Sequence, residues 1–189
     1  ILAISLAISL GLLLLLLTGE SYQTALTASI ALFVGSFGSV SALSETLTAA
    51  TPLIFAALGI AIGFRAGLFN IGAEGQIIVG GLAAVIIGFS VELPLMLHLT
   101  LMLSVGAAFG AGYAFISGWL KAFTGAHEVI TTIMLNLIAF RLLDFFLRLP
   151  FIQKEGRNDP ISKSVLDTAE LPRLLILIDP NLRLHAGFL

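Results

Sequence analysis

Apolar residues in this chain come in long uncharged runs separated by brief polar interruptions, a pattern on the length scale of a bilayer. A helix needs roughly 20 mostly apolar residues to cross about 30 Å of hydrocarbon. Five stretches approach that length: Ile1 to Leu17, Thr46 to Phe64 between Glu45 and Arg65, Ile77 to Val91, Leu93 to Leu120, and a run from Glu128 to about Leu149 that carries Arg141, Asp144 and Arg148 near its far end. The third is short by itself, which predicts a helix that borrows the turn around Gly75. A sixth begins where the chain turns apolar again in "HAGFL". Between the first two runs, Tyr22, Leu26, Ile30, Phe33 and Phe37 recur every three or four residues. That spacing places one apolar stripe on a helix lying in the membrane interface or folded back on the bundle. The pattern predicts an all-α, polytopic membrane protein: about five transmembrane helices, an interfacial helix and the start of a sixth span, in one transmembrane domain over residues 1–189.

After Leu149 the texture changes. Four of the six prolines, Pro150, Pro160, Pro172 and Pro180, fall in residues 150–184 together with five basic and five acidic residues, which predicts a long water-exposed loop. Loops longer than about 12 to 15 residues are usually functional or disordered. The aliphatic run in "LPRLLILID" favours a docking surface over a plain connector. The chain opens inside an apolar run without a Met and stops as it becomes apolar again, so it reads as the N-terminal part of a longer protein. The opening run lacks the A-x-A-like cleavage site and soluble sequel of a signal peptide.

Composition agrees with the pattern. Hydrophobic residues make up 58% of the chain, charged residues 11%, and the mean hydropathy is +1.09. A net charge of -2 without a basic block argues against nucleic acid, because neutralising phosphates requires clustered Lys and Arg. With no Cys, disulfides, thiol chemistry and Cys-ligated metals are excluded within this chain. In short loops the positive-inside rule counts Arg65 and Lys121 on one side against none on the other, which orients those two residues to the cytoplasm and residues 150–184 to the opposite face.

The glycines and the polar interruptions carry the candidate chemistry. Gly59, Gly63 and Gly67 stand four apart, as do Gly106 and Gly110, and small residues at that spacing let helices approach closely in lipid. In "GFRAGLFNIGAEGQ", Gly72 and Gly75 flank Glu74, so continuous helix is not expected from Asn70 to Gln76. Irregular backbone near membrane depth is tolerated only where protein buries it or where it lines a wet cavity. Two roles stay open for Phe64, Asn70, Glu74 and Gln76: lining a solute path, or serving helix ends through dipole and snorkelling effects. A second cluster, Glu128, Thr131, Thr132 and Asn136, places positions 128, 132 and 136 on one helical face. It faces either a pathway or a neighbouring helix.

Taken in order, "TPLIFAALGIAIGFRAGLFNIGAEGQIIVGG" and "AHEVITTIMLNLIA" resemble the membrane permeases of bacterial ABC importers for nucleosides and simple sugars, in the binding-protein-dependent family that includes ribose and branched-chain amino acid permeases. The resemblance runs through most of the chain to "LRLHAGFL", and "FRAGLFNIGAEGQ" and "EVITTIMLN" look most like the nucleoside branch. It implies a plasma-membrane transport subunit without catalysis or cofactor of its own. A second permease subunit shares the pathway, a cytoplasmic ATP-binding cassette ATPase uses the ATP, and an extracytoplasmic binding protein or lipoprotein delivers the solute. It also implies that the coupling segment for the ATPase lies beyond this chain. No G-x-x-x-x-G-K-[ST] occurs here. An ion-coupled secondary transporter would also use broken helices, but more naturally with an unpaired intramembrane carboxylate, and here the acids cluster near span ends. A membrane-embedded enzyme is disfavoured because H-E-x-x-H is absent and His98 and His127 stand alone.

Overall fold

The computed structural model describes residues 2–188; Ile1 and Leu189, which bound the first expected span and the closing motif, lie outside them. Six α-helices follow one another: α1 (Leu2–Leu17), α2 (Tyr22–Phe37), α3 (Val40–Arg65), α4 (Ala73–Ser90), α5 (Leu95–Thr124) and α6 (Glu128–Leu147). Single turns of 3-10 helix come later, at Asp167–Ala169 and Ala186–Phe188. Among the described residues the only extended pairings are the isolated antiparallel ones of Gln153 with Ser162 and Arg173 with His185.

Four helices, α3 to α6, are long and apolar enough to cross a membrane. The first expected span falls short of that group, because α1 has 16 described residues and a rise of 1.5 Å per residue makes it only about 24 Å long. The second starts at Val40 and not at Thr46, because the Ser39 hydroxyl accepts the Ala42 N–H at 3.0 Å and caps the helix before Glu45 is reached. The third does take in Gly75, starting at Ala73. Residues 186–188, where a sixth span was expected to begin, make a single 3-10 turn.

The chain divides into two compact units, one comprising Ile1–Pro52 with Pro172–Leu189 and the other Leu53–Leu171. In the first, α1 and α2 meet along a groove lined by Gly11, Leu12, Ala28 and Leu32, with Ala25 fully buried. The stripe of Tyr22, Leu26, Ile30, Phe33 and Phe37 turns outward and is exposed, so α2 folds onto α1 by its small-residue face and not by that stripe. Residues 172–188 fold back on themselves, with Leu174 N–H on Leu184 O and Ala186 N–H on Pro172 O, both at 2.8 Å. They tie to the start of α3 through Leu184 N–H on the buried Ser44 hydroxyl at 3.1 Å and Arg183 on Glu45 at 3.2 Å.

In the second unit, α4 and α5 run antiparallel in close contact. A Cβ on Gly80 would stand 2.7 Å from Gly106 O, and one on Gly110 would stand 3.2 Å from Gln76 O. Where lipid tails are as apolar as Leu, such backbone approach supplies the van der Waals contact that holds helices together. The Tyr113 hydroxyl, buried on α5, donates to Leu135 O of α6 at 2.8 Å. The part of the Pro-rich segment that belongs to this unit is folded: Lys154 N–H bonds Ile161 O, Lys163 N–H bonds Ile152 O, and Ile152 is 2% exposed. Leu166 N–H satisfies the Gly88 carbonyl at 2.9 Å, and His98, fully buried, joins Thr168 at 2.8 Å to Ile87 O at 3.3 Å. A carbonyl can only accept, so His98 Nε2–H donates to Ile87 O, while Nδ1 shares a hydrogen bond with the Thr168 hydroxyl.

Candidate functional site

The interruption between α3 and α4 has a defined geometry. After Arg65, Gly67 adopts φ +73°, Leu68 N–H bonds Gly63 O at 2.9 Å and Gly67 N–H bonds Phe64 O at 3.1 Å. This pair of bonds is the Schellman closure, which needs a residue free of Cβ strain at the left-handed position. Gly67 therefore closes the end of α3 and does not continue the helical row of Gly59 and Gly63. A Cβ on Gly59 would meet nothing within 4 Å, and one on Gly63 only Leu68 O at 3.4 Å.

From Leu68 to Gly72 the chain is non-helical and runs beside the first turns of α6. Its backbone would be unsatisfied in hydrocarbon, and the polar residues of α6 supply the partners. Phe69 N–H donates to Glu128 Oε1 at 3.1 Å, Ile71 N–H to Thr132 Oγ1 at 3.3 Å, and Asn136 Nδ2 to Ile71 O at 3.0 Å. The match is one of spacing: two extended residues advance about 6.6 Å, and four helical residues about 6 Å. Backbone groups at 69 and 71 thus fall in register with side chains at 128 and 132.

Asn136 does one thing more. The residue preceding α4 is Gly72, which has no side chain to cap it. Asn136 Oδ1 instead accepts the Gly75 N–H at 2.9 Å, so a side chain on α6 acts as the N-cap of α4. The fit leaves no room for a methyl, since a Cβ on Gly75 would stand 2.9 Å from that oxygen and 3.2 Å from Ala139 Cβ. Asn70 closes the turn from the other side: its Oδ1 accepts Gly72 N–H at 2.8 Å and Gln76 Nε2 at 3.1 Å. At the end of α5, Lys121 pairs with Glu128 at 2.5 Å and donates to Gly67 O at 3.4 Å.

The two clusters singled out in the sequence therefore meet, and most of their polar atoms are engaged with backbone. Among the described residues Thr131 bonds only the start of its own helix, at Glu128 O and at O of the capping His127. Thr132, 1% exposed, is shared between Glu128 O and Ile71 N–H. Two expected residues keep free surface: Glu74 is exposed in the first turn of α4, and Phe64 is half exposed, edge-on to Phe69 with centroids 4.7 Å apart. The partly enclosed cavity beside the ladder, bordered by Asn70, Ser117, Lys121 and Glu128, measures about 130 Å³. That is below the roughly 300–1,000 Å³ of ordinary small-molecule sites. The Lys121 contact with the cap of α3 was not legible in the sequence, because nothing in the spacing of residues 65–73 and 121–128 shows that the two turns meet. Of the charges near the end of α6, Asp144 pairs with Arg148 at 3.1 Å, while Arg141 is exposed beside Leu137 and Ile138.

Apolar helices of spanning length, packed through glycine contacts and interrupted by a polar-clamped break, define a multi-pass α-helical membrane protein. Residues 42–172 match the family described as branched-chain amino acid transport system / permease component, and the chain belongs to that permease family. It is 37% identical over 189 residues, all of this chain and 53% of the relative, to a guanosine ABC transporter permease protein of Bacillus subtilis. It is 40% identical over 147 residues, 78% of this chain and 38% of the relative, to a glucose ABC transporter permease protein of Haloferax volcanii. It is also 40% identical over 121 residues, 64% of this chain and 33% of the relative, to a nucleoside ABC transporter permease protein of Lactococcus lactis. The chain spans about half the length of the first of these and less of the others. No solved structure matches it.

Proposed function

We propose that this chain forms part of the pathway of an ABC importer for nucleosides or related sugars. In this reading it pairs with a second permease subunit, binds no cofactor, leaves ATP to a cytoplasmic ATPase, and receives solute from an extracytoplasmic binding protein. The end carrying Arg65 and the Lys121–Glu128 pair faces the cytoplasm, and the Pro-rich residues 150–184 face outward. The observation that carries the reading is the ladder between residues 68–75 and α6. It fixes irregular backbone between two spans while leaving Glu74 and the Phe64–Phe69 pair exposed beside it. A carboxylate and an aromatic edge suit the hydroxyls and ring faces of a ribosyl or nucleobase ligand. The guanosine and nucleoside relatives support that solute class, and the glucose relative favours a hexose as the second reading.

The test is uptake of labelled nucleosides, pentoses and glucose by the full-length permease with its partner subunits. The reading expects ATP-dependent nucleoside uptake, reduced by Glu74→Ala with assembly intact. Glucose uptake alone would select the second reading, and ATP-independent uptake driven by an ion gradient would overturn both.

A further inference from the structure

The segment Leu174–Ile178 carries the most exposed apolar side chain among the described residues, Leu177 at 97%, beside Ile178 at 68% and Ile176 at 52%. It is an ordered knuckle. Ile178 and Asp179 N–H groups both bond Leu175 O, Arg173 Nη1 donates to Pro180 O at 3.0 Å, and Asn181 N–H bonds Asp179 Oδ1 at 2.9 Å. Holding Leu174, Ile176, Leu177 and Ile178 exposed in a turn, with only Leu175 half-buried, opposes the hydrophobic effect, and an exposed patch of this kind marks an interaction site.

Its base indicates what covers it. Leu174 N–H is bonded to Leu184 O, while Leu184 N–H and the Arg183 side chain are bonded to Ser44 and Glu45 of α3. Glu45 is the last charge before the apolar run of α3, so the base sits where that helix meets the membrane boundary. Leu177 is three residues from Leu174, a reach of at most about 10 Å. The headgroup layer on each side of the hydrocarbon is roughly 5–7 Å thick, so the tip stays within range of the lipid interface. Its chemistry points the same way: protein-binding hot spots favour Trp, Tyr and Arg over Leu, and this tip offers only Leu and Ile. The neighbouring Arg173 and Arg183 are already engaged, on Pro180 O and Glu45.

We propose that Leu174–Ile178 is an interfacial anchor, inserted at the acyl boundary of the bilayer beside the start of α3, with Arg173 and Asp179 left among the headgroups. The anchor requires only that the chain be a membrane protein and is independent of the solute carried. It is tested on a cysteine-free full-length permease, assembled with its partner subunits and reconstituted in phosphatidylcholine–phosphatidylglycerol vesicles. Leu177→Cys carries an environment-sensitive fluorophore, and Glu155→Cys, on the exposed polar tip of the 152–163 loop, is the aqueous reference. Because Leu177 is almost wholly exposed, the label leaves the folded base intact, which unchanged assembly with the partner subunits checks. The expected result is blue-shifted emission at 177, quenched by nitroxide-labelled lipid and spared by aqueous iodide, with the reverse at 155. Iodide quenching at 177 equal to that at 155 would overturn the anchor. So would protection that appears only when the extracytoplasmic binding protein is added, which would make the knuckle a protein-docking surface.

Discussion

Replacing Asn136 by Ala removes two bonds at once, one to Gly75 N–H at 2.9 Å and one to Ile71 O at 3.0 Å. Gly75 is buried and its N–H lies in the first turn of α4, where no intrahelical carbonyl is available. Losing a cap of this kind costs about 1 kcal/mol, and hydrogen bonds between membrane helices average about 0.6 kcal/mol with a maximum near 1.7. Together these give about 2 kcal/mol, or roughly a 30-fold change in an opening equilibrium. The assay is twofold: unfolding of the full-length protein in mixed micelles, and hydrogen exchange at the Gly75 amide. Exchange at Gly75 should rise about 30-fold, with smaller increases at Phe69 and Ile71, whose N–H bonds to Glu128 and Thr132 remain. If stability and Gly75 exchange stay at wild-type values while uptake collapses, Asn136 contacts solute and the clamp is the wrong account of it.

Gly80→Ala drives a Cβ to 2.7 Å from Gly106 O, and overpacking of that kind costs about 1–3 kcal/mol. Gly81→Ala, which meets nothing within 4 Å, should unfold like wild type, and equal stability of the two variants would disprove the close α4–α5 approach. His98→Ala leaves the Thr168 hydroxyl without its ring partner and a void between α5 and the 165–169 segment. The expected loss is about 2–4 kcal/mol, with faster proteolysis within residues 150–171; unchanged proteolysis would mean that His98 does not hold the segment. Arg157 bonds Asp159 at 2.8 and 2.9 Å and holds its carboxyl below the ordinary aspartate value. A depressed folded value means that the pair supports its loop above the unfolded pKa and loses that support as pH falls through the folded one. The Asp159 carboxyl carbon, followed by NMR, should therefore titrate low in wild type and return to normal in Arg157→Gln; identical curves would remove the pair from the account.

How much of this was legible in the sequence differs by feature, and the reasons are physical. The spanning helices were, because an uncharged run of bilayer length has few alternatives in lipid. Their ends were less so: α3 begins at a Ser39 cap that hydropathy does not weigh, and one charged residue, Glu45, does not stop a helix. Residues 150–184 looked like an open loop because prolines and mixed charges mark solvent. Their backbone partners, Gly88 O and the Ser44 hydroxyl, lie far away in the chain, and composition carries no trace of such pairings.

The polar clusters show a different limit. An i, i+4, i+8 row of Glu128, Thr132 and Asn136 announces a face that requires polar company, and the glycine-rich break announces backbone that requires partners. Neither signal alone says that each is the other's answer. What decides it is the near-equality of two repeats, two extended residues against one row of helix positions, together with a Gly72 that cannot cap its own helix. Side chains bound in this way hold the backbone of the break and have few polar atoms left for another partner. Under the proposed import function, solute recognition would fall to groups the ladder leaves free, which among the residues expected from the sequence are Glu74 and the edge of Phe64. Loss of uptake in Glu74→Ala without loss of stability, set against loss of both in Asn136→Ala, is the pattern that separates recognition from framework.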